Sequence, residues 1–337
     1  MSQETKDRIL GAFYGQALGD AFGMPSELWP RSRVIQHFGW IDGFLDGPQE
    51  NDAAKYFKAA QFTDDTSMAI ALADSIIECR GRVDTTVIAG RILAWAESFD
   101  AFDKNVLGPT SKLALKAIKA GQPVADLPNL GETNGAAMRV MPMGCLLPTH
   151  RFDDFYTEIA AACAPTHKSD IAIAGALVIA WAISKAIDGH AWSEVVHTLP
   201  DVARKAQLKN VNTFSASLGA RIELALSVVK EDCDVTEASA RIYDLVGAGV
   251  TTIESVPAAI AMANLAGLDP NRCAEFCANL GGDTDTIGAM ATAICGANSG
   301  MSGFNTASLQ QLMDVNDVNF DIYAEQFLKY RSARSLS

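Results

Sequence analysis

The sequence predicts an all-α fold, and three observations carry that prediction. Apolar residues recur at i, i+3, i+4 and i+7 in one segment after another, the spacing that lines up one helical face. The strict alternation of a half-buried strand is nearly absent. Glycine and proline stand at the joins, as in Gly121-Gln122-Pro123 and Gly267-Leu268-Asp269-Pro270.

In chain order the periodicity predicts helices over residues 6–18, 67–79, 86–98, 110–120, 153–162 and 169–187, many of them alanine-rich. It continues over residues 193–199, 215–229, 235–246, 255–265, 270–280 and 286–295, with a last run near 309–329. In the first helix Gly11, Gly15 and Gly19 recur every four residues and share one face, which predicts close packing against a neighbour. The longest apolar run, residues 171–183, falls short of the ~20 residues that span a bilayer and is expected to be a buried helix. Residues 39–61 are the least helical, rich in Gly39, Gly43, Gly47 and Pro48, and are expected to form a mobile flap. No linker, low-complexity tract or fixed-period repeat divides the chain, so residues 1–337 are expected to form a single domain.

A net charge of −13 argues against a nucleic-acid surface or an anionic membrane as partner. It leaves an anionic small ligand open, because a bound cation reverses the field inside a cleft. The polar start Met1-Ser2-Gln3-Glu4-Thr5-Lys6 does not read as a signal peptide. The seven cysteines show no compact zinc pattern, and their odd number suggests reduced thiols in the cytoplasm.

Two short segments carry the chemistry: Thr63-Asp64-Asp65-Thr66 and Gly281-Gly282-Asp283-Thr284-Asp285-Thr286. Each packs carboxylates and hydroxyls directly before an apolar helical run. If the two meet, they supply four carboxylates with Thr63, Thr66, Thr284 and Thr286. That all-oxygen set suits Mg2+, with Mn2+ as a substitute, and four acids exceed the need of one ion, so two ions are expected. The plain alternative is helix capping, since Asp and Thr are favoured N-caps. Capping explains one acid per helix start, not two adjacent ones that repel.

Other segments say less alone. Asp20 reads as a structural acid at a helix end, and Glu27, after Pro25, sits in a loop where its carboxylate is free to reach a ligand. Asn134-Gly135-Ala136-Ala137-Met138-Arg139 follows a polar turn, and its small residues would let backbone N–H groups approach an anion. Arg139 reads either as a phosphate holder or as an internal partner of an acid. His167 precedes the most apolar helix, where a lone histidine is more often structural than ligand-binding.

In this order the segments resemble the ADP-ribosylglycohydrolase family. The resemblance rests on Gly15 to Gly23 with Pro25 and Glu27, Phe62 to Thr66, Asn134 to Arg139 with Pro142, Thr166-His167, Glu254 to Ala258, and Gly281 to Thr286. It implies an orthogonal multi-helix bundle around a binuclear Mg2+ or Mn2+ centre. It implies Thr63, Asp64, Asp65, Asp283, Asp285 and Thr286 as metal ligands, with Glu27 a mobile acid near metals and substrate. It implies Gly131, Glu132, Thr133, Asn134 and Gly135 along a substrate diphosphate, His167 beside the ligand, and Val250 against the adenine. The implied activity is hydrolysis of the bond between ADP-ribose and a protein side chain or small acceptor, with Glu27 or Asp64 positioning the water. The alternatives are a hydrolase of small N-glycosides such as nucleosides, and a non-catalytic binder. One departure stands out: some relatives carry Tyr-Gly where this chain has Glu132-Thr133, which puts negative charge near the expected diphosphate. Asp103 in residues 101–105 loosely matches a metal-proximal aspartate of the nitrogenase-regulating branch.

Overall fold

The computed structural model describes residues 2–104, 106–229 and 234–335. Its helices are α1 (Gln3–Gly23), α2 (Arg31–Phe38), α3 (Asp64–Glu78), α4 (Thr85–Ser98), α5 (Ala101–Lys104) and α6 (Pro109–Lys119), then α7 (Met141–Leu146), α8 (Phe152–Cys163) and α9 (Asp170–Ile187). They continue as α10 (Trp192–Gln207), α11 (Leu218–Val228), α12 (Val235–Arg241), α13 (Thr252–Leu265), α14 (Pro270–Ala278), α15 (Thr284–Ser299), α16 (Thr306–Asn316) and α17 (Asp321–Ser335). No strand forms among the described residues, as the missing alternation predicts.

Three departures have local causes. The last periodic run is two helices, α16 and α17, because Asp317 takes a left-handed conformation with φ of 49° and ends the first. The short α2 and α7 escape detection, since one or two turns cannot display a helical period. Helix α10 runs past the predicted stop at residue 199 with a buried Pro200 inside it.

The centre of the molecule is the antiparallel pair α1 and α15. Gly11 faces Gly296, Gly15 faces Thr292, Gly19 faces Gly288 and Gly23 faces Thr284. A Cβ on Gly19 would lie 2.1 Å from the Gly288 carbonyl oxygen, so the two backbones touch only because neither side carries a side chain. This contact brings the last turn of α1, with Asp20, beside the first turn of α15, with Asp285. Helix α9 is apolar enough to suit a bilayer, yet 89% of it is buried inside the fold.

The 39–61 segment lacks helix as expected but is seated, not loose. Ile41 exchanges backbone bonds with the Asn279 amide, and Phe57 and Ala54 bury against Met24. Asn51 donates to the carbonyls of Pro25 and Glu27 and so fixes the backbone that carries Glu27.

Candidate metal centre

The two acidic turns meet, and the way their helices are capped separates the two readings of the acids. Aspartates elsewhere cap as propensity expects: Asp84 accepts from the N–H groups of Thr86 and Val87, and Asp269 from those of Asn271 and Arg272. At α3 and α15 the capping positions, Thr63 and Asp283, make no such bond. Helix α3 is capped from outside instead. Asp20, fully buried on α1, accepts from the Thr63 N–H and hydroxyl at 2.9 Å each, and from the Thr66 N–H at 2.9 Å and hydroxyl at 2.6 Å. A carboxylate offers about four lone-pair positions, and all are taken. Asp20 is thus the structural acid the sequence suggests, and it leaves Asp64 and Asp65 free of capping duty.

Glycine makes the second turn possible. Gly281 and Gly282 both have φ of 83°, and a Cβ on Gly282 would stand 2.1 Å from the Ala248 carbonyl oxygen. The turn is pinned by Asp283 N–H to Ala248 at 2.7 Å, Leu28 N–H to Gly282 at 2.7 Å, and Gly282 N–H to Trp29 at 2.8 Å. The last two bonds carry Glu27 to the acids of α15.

Two sets of carboxylate oxygens result, each within 4.8 Å of one another: Asp20, Asp65 and Asp285, and Glu27, Asp283 and Asp285. Asp64 is in neither, and because Asp20 is committed to the α3 cap, the first set offers Asp65 and Asp285 to a cation. Asp285 belongs to both. Oδ1 of Asp65 and Oδ1 of Asp285 are buried without any hydrogen-bond partner. The Thr63 hydroxyl lies 3.2 Å from Asp65 Oδ2 and 3.4 Å from Asp285 Oδ2, but its one proton serves Asp20. Buried polar atoms are nearly always satisfied, so orphaned oxygens on two neighbouring carboxylates fit a cation.

The electrostatics agree. Burial, then the charges of Asp285, Asp20, Asp64 and Asp283, push the Asp65 carboxyl well above its usual range. Burial and the neighbouring acids do the same to Asp285 and Glu27. Asp64 is pushed up to about 8, first by burial and then by Asp20. Burial raises Asp283 to about 6, restrained by hydrogen bonds from Asn134 and Thr286. Protons stand in for positive charge here, and hard oxygen donors of this kind suit Mg2+ or Mn2+.

The centre floors a cleft of about 400 Å3, within the range of small-molecule sites. Glu27, Asp64, Asp65, Asp283, Asp285 and Thr286 line it, together with Thr133, Asn134, Gly135 and Val250. Thr63 is buried beneath. The Asn134 amide donates to Asp283 Oδ2 and to Ser255, and its N–H to the Val250 carbonyl at 3.0 Å, which ties the loop to the metal side.

Three residues expected at the ligand stand off the cleft wall. Gly131 packs against Thr110, which a Cβ would strike at 2.3 Å. Glu132 is exposed and turns away to accept from the Ser215 hydroxyl at 2.6 Å, so its charge does not face the cleft. His167 is fully buried, its ring nitrogens bonded to the hydroxyls of Thr133 at 2.9 Å and Thr166 at 2.8 Å. Burial and the nearby Arg139 lower it to about 3, so it is a neutral prop behind Thr133. Asp103 is exposed on α5, and Asn105 lies outside the described residues. Sequence reasoning missed the wall formed by Val106, Leu107, Pro109, Ser111 and Lys112 at the start of α6. Its only advance signal is Gly108-Pro109 before a helix.

The family described as ADP-ribosylglycohydrolase matches residues 1–335. The chain belongs to that family. It is 62% identical to an uncharacterised protein of Escherichia coli, over 97% of this chain and 98% of that one. It is 28% identical to the ADP-ribosylhydrolase ARH3 of Danio rerio, over 87% of this chain and 83% of that one. Among solved structures, an ADP-ribosylglycohydrolase-related protein complex superposes with a TM-score of 0.71 at 23% identity, covering 98% of this chain and 100% of that chain, which shows the shared all-α fold. The family is one of glycosidic hydrolases, so the chain is an enzyme of that kind.

Proposed function

We propose that this enzyme is a cytoplasmic, metal-dependent hydrolase that frees ADP-ribose from a modified protein side chain or small acceptor. The observation that carries the reading is the pair of carboxylate sets sharing Asp285, with two orphaned oxygens, directly beside the 133–135 loop. Thr63, Asp64, Asp65, Asp283, Asp285 and Thr286 would hold two Mg2+ ions, or Mn2+. When bound, such ions neutralise the acids and polarise the oxygens of sugar hydroxyls and water.

The chain's own residues do the rest. Thr133, Asn134 and Gly135 cradle the diphosphate, and Val250, 39% exposed at the rim, offers an apolar face to the base. Glu27 sits at the half-buried edge of the set it forms with Asp283 and Asp285. Burial and the neighbouring acids raise its proton affinity, and with cations bound to offset those acids it is left ionised as a base. It orients the attacking water and accepts its proton as the water oxygen bonds to the anomeric carbon. The glycosidic bond breaks in the same event, the proton taken up by Glu27 passes on to the departing nitrogen or oxygen, and the neutral amide, guanidine or alcohol leaves through the open side. Asn134 holds Asp283 in place throughout.

Asp64→Ala and Asp285→Ala variants are expected to lose turnover and metal binding while keeping their helical circular dichroism. Undiminished turnover in either would sink the reading. A panel of ADP-ribosyl-arginine, ADP-ribosyl-serine and free nucleosides, run with EDTA and metal add-back, identifies the acceptor and separates this activity from nucleoside hydrolysis.

A further inference from the structure

Among the described residues that line the cleft, only Leu28 has a positive φ, at 57°. A side chain in this left-handed region crowds its own backbone, so a bulky residue there is strained. Elsewhere the same conformation has a local reason: Arg80, Asp100 and Asp317 stand at the C-terminal ends of α3, α4 and α16. Leu28 ends no α-helix. Its conformation is imposed by the bonds around it. The Leu28 N–H donates to Gly282 at 2.7 Å, the Trp29 N–H to Ser26 at 3.1 Å, and the Asn51 amide holds the Glu27 carbonyl at 2.9 Å. Glycine would meet those bonds without strain. The leucine side chain instead stands 51% exposed at the cleft, beside Glu27.

Contacts between the cleft walls show which part of a ligand Leu28 faces. The start of α6 meets the 133–135 loop, where the hydroxyls of Thr110 and Thr133 lie 3.2 Å apart. That loop is bonded to Val250 through the Asn134 N–H. The segment of Val250 reaches the Leu28 wall through Ala248, Asp283 and Gly282. The ring closes where Val106 packs against the cluster of Met24, Ala54 and Phe57. With the diphosphate on the 133–135 loop and the base on Val250, the two remaining walls face whatever the ribose is joined to. From Leu28 through Ala53 to Val106 and Leu107 those walls are aliphatic, with Glu27 the one polar side chain among them. Methylene groups suit such a corner. The N–H and C=O edges of a nucleobase would lose water there without gaining partners.

We propose that Leu28 is a specificity-determining residue, held in a strained turn so that its side chain packs on the aliphatic arm of a modified protein side chain. The proposal rests on the function given above and deepens it: the acceptor is a polypeptide side chain, not a nucleobase.

The test substitutes Leu28 in the full chain. Leu28→Gly removes the side chain and relieves the strain, Leu28→Asn tolerates the left-handed turn but is polar, and Leu28→Met restores apolar reach. The measurements are kcat/KM on peptides carrying ADP-ribosyl-arginine or ADP-ribosyl-serine, calorimetric Kd for ADP-ribose in saturating Mg2+, and the melting point. Leu28→Gly and Leu28→Asn are expected to lose about tenfold in kcat/KM, to keep Kd for ADP-ribose within about twofold, and to melt no lower than wild type. Leu28→Met is expected to return kcat/KM to within about threefold of wild type. Unchanged kcat/KM in Leu28→Gly, or a parallel loss of ADP-ribose affinity, overturns the proposal and leaves the proposed function standing. Lower melting points in both Leu28→Gly and Leu28→Asn also overturn it, because the turn would then need the leucine for its own stability. If wild type cleaves neither peptide, the proposed function falls and calorimetry on the intact peptides decides this inference. Binding about tenfold weaker in Leu28→Gly then supports it, and equal binding overturns it.

Discussion

Replacing Gly19 by alanine adds one methyl group at the tightest point between α1 and α15. That carbon would sit 2.1 Å from the Gly288 oxygen, 2.4 Å from the Gly288 carbonyl carbon and 2.7 Å from the Thr292 hydroxyl. The opposing atoms are mostly backbone and cannot rotate away. To reach even the 3.0 Å limit that real Cβ atoms respect, the helices must part by about 0.9 Å, and ordinary contact requires about 1.3 Å. Overpacking of this kind costs about 1–3 kcal/mol, which lowers the melting point of a chain of 337 residues by roughly 1–4 °C. The effect on the site is sharper, because Asp20 is the next residue on α1 and Asp285 lies one turn before Gly288. Sites tolerate misplacement of only about 0.5 Å. Scanning fluorimetry and Mg2+ calorimetry on Gly19→Ala should therefore show a lower melting point and a weakened ion. Gly90→Ala is the control: Gly90 is exposed within α4 with open space around its Cβ position, so the same methyl group should stabilise by about 0.5–1 kcal/mol. If Gly19→Ala matched wild type in both measurements, the contact between backbones would not be what sets the geometry of the acids.

Asp285→Asn removes the carboxylate common to both oxygen sets, so it should raise the melting point in EDTA and abolish the further rise that Mg2+ gives wild type; a lower melting point in EDTA would contradict the repulsion inferred. Asp20→Asn replaces one of its two accepting oxygens by an NH2 that cannot accept from the pair of donors it faces, and charged hydrogen bonds of ~1.5–3 kcal/mol each are at stake, so hydrogen exchange at Thr63 or Thr66 should speed up markedly. The pH response of the metal-free protein has a definite sign. Asp64 goes from 3.8 unfolded to about 8 folded, so its contribution is complete below the lower value and lost as pH rises through the upper. His167, lowered from 6.5 to about 3, is neutral in both states above pH 6.5 and adds no slope there. Between pH 6.5 and about 8 the protein in EDTA should thus melt at falling temperature, while the Mg2+-induced rise grows; a flat or opposite trend by calorimetry refutes this.

The sequence exposes some of this molecule clearly and hides the rest for physical reasons. The acids are legible because two adjacent carboxylates before an apolar run exceed what capping needs, and the structure gives the capping of α3 to Asp20. The Gly11, Gly15 and Gly19 stripe is legible as close packing, but nothing in it names α15 as the partner. The family resemblance implies His167 beside the ligand, whereas a lone histidine before an apolar helix reads as structural, and the structure sides with the second reading. Two threonine hydroxyls and complete burial make it a support, and such satisfaction is visible only in three dimensions. Glu132 faces outward because Ser215, far along the chain, offers it a donor. The wall at the start of α6 escaped notice since short apolar stretches around Gly108-Pro109 look like any helix entrance. The 39–61 segment reads as loose from its glycines, yet Asn51, Phe57 and Asn279 anchor it through long-range contacts.

The glycine seam between α1 and α15 also joins the two ends of the chain in time. A ribosome releases Asp20 early and Asp285 only near the end, tens of seconds later at ordinary rates of synthesis. Until then α1 exposes a bare backbone groove with nothing to fill it, and no amount of cation can assemble the centre. Products that stop before α15 would for that reason lack the shared carboxylate of Asp285 and with it the centre.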